Sequence, residues 1–239
     1  MRADVALAET IRPVVIDRPK TRIVEIATGK LLLPFGLAFI AIGALLVIWL
    51  HARPGWGGVN PITGMLSDYG TGSLGWVFDS AMDLIGAGSA ALVVVMWRRG
   101  LLRRGPELAL MISWCVCVIG VGTCAKDPNA GAQTLRGTLH LAFTAAACAS
   151  LPFAALLLGW RYRDHLWHRR FARKARLFGL ASVPCFLPFL VSFVVLRLSH
   201  GVQFVIVPTG LVERLMVVLD IVILAVFALW TRTAAPDRS

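Results

Sequence analysis

Imidazole, carboxylate, hydroxyl and guanidinium groups gather in a few short stretches of this sequence. The polar link Cys124–His140, CAKDPNAGAQTLRGTLH, holds Lys126, Asp127 and Arg136 and ends on His140, four residues after Arg136. Asp79 and Asp83 stand four positions apart, a spacing that puts both carboxylates on one face of a helix. Ser67 and Asp68 precede them, and Glu213, Arg214 and Asp220 come much later in the chain.

A Ser hydroxyl, a His base and an orienting carboxylate are the parts of a nucleophilic hydrolase. His140, Asp79, Asp83 and Ser67 are the catalytic candidates on that ground, with Ser80 and Asp68 as substitutes. No G-x-S-x-G elbow accompanies them, and Ser67 equally suits a turn or a helix cap. Three His with a carboxylate can hold zinc and activate water. His51, His140 and His200 are far apart in the chain with no short ligand spacing, so no metal is expected. Proton-coupled transport would pair a carboxylate with a base inside the membrane, yet Asp220 and Arg214 do not share a helix face. Phosphate-binding glycine loops, dinucleotide fingerprints and nucleic-acid modules are absent, so neither a cofactor nor a nucleic-acid partner is expected.

The elements that must position these groups are apolar helices. Of 239 residues, 57% are hydrophobic and 15% are charged, against roughly 25% charged in a soluble domain. The apolar residues are blocked into runs, and an α-helix needs about 20 of them to cross a bilayer. Six such runs occur: 31–50, 74–97, 107–125, 137–160, 177–198 and 211–230. Residues 1–30 read as a polar tail without a signal-peptide pattern, and 231–239 as a second tail. Pro184 and Pro188 are expected to kink the fifth span. Seven tryptophans, at 49, 56, 76, 97, 160, 167 and 230, lie near span ends as interface anchors should. The five cysteines sit in or beside apolar runs and read as small buried hydrophobes.

Orientation follows from the basic residues. Of the 24 Lys and Arg, nineteen lie in the two tails and the links after spans two and four. Only Arg53, Lys126 and Arg136 lie in the other three links, while Arg197 and Arg214 fall within spans. Positively charged loops stay in the cytoplasm, so both termini are expected there. The net charge of +11 is then a topology signal and a contact with anionic lipid.

With that orientation the polar groups share the outer side. Asp68, Asp79, Asp83, Asp127, Glu213 and Asp220 face Lys126, Arg136, Arg197, Arg214 and His140. A charge within the bilayer costs roughly 2.5–3.5 kcal/mol on insertion scales, so such groups turn inward and pair. A polar cavity opening outward is expected. It serves one of three ends: an ion-pair network that fixes packing, a binding or transport cavity, or an active site.

The stretches NPITGMLSDYG (60–70), DPNAGAQTLRGTLH (127–140) and GLVERL (210–215) resemble those of a bacterial integral-membrane family catalogued as domain of unknown function 998. The matching steps are Ser67-Asp68-Tyr69-Gly70, Asp127-Pro128, Gly137 to His140 and Gly210 to Arg214. Tyr69 departs from the family's usual Leu. The resemblance spans about residues 31–230 and implies a six-helix bundle, with no reaction attached.

The sequence thus describes an all-α, six-span bundle in a bacterial cytoplasmic (inner) membrane, with domain boundaries 1–30, 31–230 and 231–239. Asp68, Asp127, Arg136, Glu213 and Arg214 are the expected binding residues. The expected partners are membrane lipids and a lipid or other amphipathic small molecule held at the outer site. If the site is catalytic, His140 is the base or ligand and the carboxylates orient it. Oligomeric state is not encoded.

Overall fold

A computed structural model describes residues 19–53, 58–127, 134–198 and 209–234, with backbone alone at 19–30, 188–198 and 209. Among the described residues the chain forms helices and no strand. Six are α-helices: α1 (Pro19–Ala52), α2 (Gly75–Arg98), α3 (Pro106–Thr123), α4 (Leu135–Arg161), α5 (Arg169–Leu198) and α6 (Thr209–Thr233). A short 3-10 turn, Leu66–Thr71, lies in the Gly- and Pro-rich segment between α1 and α2. Expectations on His200, on the polar tails before residue 19 and after 234, and on the side chains of Arg197 and Pro188 fall outside the described residues.

The helices begin where local chemistry lets them. Pro106 opens α3, a position where its missing N–H costs nothing. Thr134 caps α4 by accepting a bond from the Gly137 N–H at 3.1 Å. Two helices start well before their apolar runs. α1 opens at Pro19 rather than 31, and α5 opens at Arg169 rather than 177. Arg, Lys and Ala are strong helix formers, so RRFARKAR extends the fifth helix where a link was expected. α5 continues through Pro184.

Each α-helix packs on its neighbours in the chain, and α6 also touches α1, α2 and α4. Small residues set the closest approach. A Cβ at Gly36 of α1 would lie 2.9 Å from the Gly88 carbonyl of α2, the backbone contact that small residues permit between membrane helices. Outside, Leu31, Phe35, Phe39, Ile42, Leu45 and Ile48 form an exposed apolar face on α1. Water would penalise such a face, and a lipid environment covers it.

Four helices are long and apolar enough to cross a membrane: Leu31–Ala52, Gly75–Arg98, Pro106–Thr123 and Leu135–Arg161. The protein is therefore a membrane protein by length and composition of its helices. Trp76 and Trp167 are exposed, whereas Trp230 is fully buried. That corrects its reading as an interface anchor: its indole N–H donates to His168 Nδ1 at 2.9 Å, a partner inside the protein.

Candidate functional site

The polar groups converge at the end of the bundle where α1 finishes and α6 starts. The connection after α1 is shaped first by Asn60. Its side-chain oxygen accepts from the Ile62 N–H at 2.9 Å and the Thr63 N–H at 3.3 Å, an Asx turn that the short amide side chain favours. The 3-10 turn follows. Asp68 Oδ2 accepts from the Met65 N–H at 2.8 Å, and its other oxygen pairs with Lys126 from the link after α3. Glu213, in the first turns of α6, accepts from the Leu66 N–H. Two carboxylates from distant parts of the chain thus satisfy amides that a turn leaves without backbone partners.

Arg214 is pinned on three sides. Its Nη1 donates to the Gly64 and Gly210 carbonyls, each at 2.8 Å, and its Nε donates to His51 Nε2 at 2.7 Å. His51 Nδ1 lies 2.9 Å from the Val47 carbonyl. A carbonyl only accepts, so that bond puts the ring proton on Nδ1 and leaves Nε2 free to accept from arginine. The Tyr69 ring packs 5.2 Å from the His51 ring. Arg214 Nη2 is buried and has no hydrogen-bond partner among the described residues.

His140 stands in the second turn of α4. Its Nδ1 lies 2.7 Å from the Cys124 carbonyl, which again fixes the proton on Nδ1. Nε2 is buried without a partner among the described residues. Lys126 and Asp79 are its charged neighbours. Asp79 is half-buried, and Asp83, one turn on, is exposed. Ser67 is buried, and among the described residues no hydrogen bond joins it to His140. Among the described residues no group of three or more His, Cys, Asp or Glu is placed to hold a metal ion.

Asp127 accepts from the Thr134 hydroxyl at 2.6 Å and the Thr134 N–H at 2.8 Å. Those bonds, the side-chain one first, hold its carboxyl below the usual carboxylate range. It lies against Gly137, where a Cβ would collide with it. Asp127 thus clamps the start of α4. Arg136 is exposed in the first turn of that helix. Asp220 is buried deeper in α6 with Oδ1 unpartnered among the described residues, and Cys148 and Cys185 lie near it.

The expected balance of buried ion pairs takes another form. At this end only Asp68 and Lys126 make an ion pair among the described residues. Glu213 and Arg214 use backbone groups and a histidine instead, because adjacent residues on a helix point in different directions. Sequence reasoning missed Asn60 and the seat that His51 gives Arg214. The Asn60-Pro61 turn signal was present, while nothing local marks His51 as a partner of a residue so far along the chain.

A family model described as "Protein of unknown function (DUF998)" matches residues 39–230. No curated protein matches the chain, and no solved structure does.

Proposed function

The chain belongs to the DUF998 family of unknown function, and from that premise we propose that it binds an anionic amphiphile, such as a lipid headgroup, at its polar end. In this reading α5 and α6 complete six spans, both tails lie in the cytoplasm of a bacterial cell, and the polar end faces outward. The observation that carries it is the Arg214 guanidinium. It is held on three sides by neutral acceptors, forms no ion pair among the described residues, and keeps Nη2 buried and unpartnered. A buried guanidinium N–H without an acceptor is costly, and a phosphate or carboxylate oxygen supplies the missing bond. Lys126, Arg136 and His140 stand at the same end to receive the rest of the headgroup.

A packing role has its own support, since Asp68–Lys126 and Glu213 with the Leu66 N–H already tie α6 and the α3–α4 link to one turn. Native mass spectrometry of the purified full chain separates the two. Wild-type protein is expected to carry an anionic amphiphile, Arg214→Gln to retain about a tenth as much, and His140→Gln to keep its melting temperature. Bare wild-type protein, or equal retention by Arg214→Gln, would overturn the proposal. A collapse of His140→Gln would assign His140 to packing.

A further inference from the structure

The opposite end of the bundle carries a different feature. α5 and α6 leave between them an open groove of about 410 Å3. Leu177 and Phe178 of α5 and Val222 and Leu229 of α6 line it, together with Arg173 and Lys174 of α5. Val222 and Leu229 are seven positions apart, so the wall of α6 is roughly 10 Å long and apolar throughout. Arg173 and Lys174 come one turn before Leu177 and Phe178. The groove therefore has a cationic head and a hydrocarbon body.

We infer that this α5–α6 groove seats one anionic phospholipid of the leaflet on the basic side, its phosphate on Arg173 and Lys174 and an acyl chain along Leu177, Phe178, Val222 and Leu229. Charge selects the occupant. From 165 to 198 the sequence has no Asp or Glu, while α5 alone brings Arg169, Arg170, Arg173, Lys174 and Arg176 to this end. Arg173 and Lys174 make no ion pair among the described residues, where Arg161 and Arg163 each have a carboxylate. Leu166 and Trp167, 90% and 85% exposed, give the same end an interfacial anchor. Basic pockets between membrane helices on the cytoplasmic side take acidic headgroups in this way. The inference rests on α5 and α6 crossing the membrane and is independent of Arg214.

The test uses the full chain in phosphatidylcholine nanodiscs with increasing phosphatidylglycerol, bound lipid being counted by native mass spectrometry. Wild-type protein is expected to enrich phosphatidylglycerol over phosphatidylcholine. The pair Arg173→Gln with Lys174→Gln is expected to lose that enrichment about tenfold. Arg103→Gln with Arg104→Gln removes as many positive charges from the α2–α3 link and is expected to lose nothing. Ala225→Trp fills the groove, leaves every charge in place, and is expected to lose the lipid too. Equal losses from both charge pairs would mean diffuse attraction rather than a site, and would overturn the inference. So would unchanged binding in Ala225→Trp, or displacement of the lipid by millimolar inorganic phosphate. Variants are compared only where melting temperature stays near wild type, and Ala225→Ile replaces Ala225→Trp if the larger side chain prevents folding.

Discussion

At the scale of single residues, the pair Asp68–Lys126 shows how this protein uses charge near a membrane surface. Both side chains are 17% exposed, so neither is fully hydrated and neither is fully dry. Asp68 does two things at once: it receives the Met65 N–H and neutralises Lys126. Lys126→Ala removes the cation but leaves the turn bond. Asp68→Asn keeps an acceptor and removes the charge. Each is expected to destabilise the protein by roughly 1–3 kcal/mol, the cost of leaving a hydrogen-bonded charge without its partner. The double variant should cost less than the two added together, with a coupling on the order of 1 kcal/mol. Thermal unfolding followed by thiol labelling measures this, because the buried Cys115, Cys117 and Cys185 are free and become reactive on opening. Strict additivity would mean that the two groups do not sense each other.

At the scale of elements, the junction of α5 with α6 is held by His168 and Trp230. His168 Nδ1 accepts from the Trp230 indole N–H, and the His165 ring lies 4.5 Å away. Protonation at Nδ1 would remove the lone pair and the bond with it. Burial, and then the neighbouring His165, push the pKa of His168 below its usual value. The unfolded chain then binds the proton more readily than the folded one. The stabilisation is therefore present above the unfolded value of about 6.5 and is lost as pH falls through the window below it. The melting temperature should fall as pH drops below about 6.5, and His168→Asn, which keeps an acceptor but cannot titrate, should flatten that slope. An unchanged slope would place the titration elsewhere.

The same junction shows what could be read in advance. Apolar blocks marked the helices well, because burying or immersing about 20 residues leaves a compositional trace. The basic start of α5 left no such trace, since helix propensity and a solvated face favour the same residues as a loop. At the polar end, the expectation that Asp68, Lys126, Glu213 and Arg214 share one end of the bundle followed from counting charges. Which atom meets which did not: Leu66 and Glu213 are 147 positions apart, and no periodicity joins them. Glu213 and Arg214 looked like members of ion pairs. A backbone amide and a neutral imidazole served them instead, groups whose availability depends on how the turn at 60–71 folds.

At the scale of the whole molecule, the question that governs every functional reading is how many times the chain crosses. Four helices qualify by length and composition, and adding α5 and α6 gives six. Both numbers are even, so a reporter at the C-terminus returns the same side as the N-terminus in either case. The link 199–208 between α5 and α6 is decisive. It contains no Lys or Arg, whereas residues 161–176, which run into the first turns of α5, are the most basic stretch in the chain, and that asymmetry favours crossing. Reporters that fluoresce only in the cytoplasm, or act only outside it, are inserted in turn after Gly201 and after Arg104 of the α2–α3 link. Six spans predict opposite sides for these two positions, with Gly201 outside. Four spans predict the same side for both, and would leave the α5–α6 groove facing water rather than lipid. In that case Arg214 could not sit at an outer membrane surface, and both binding sites proposed above would fall together.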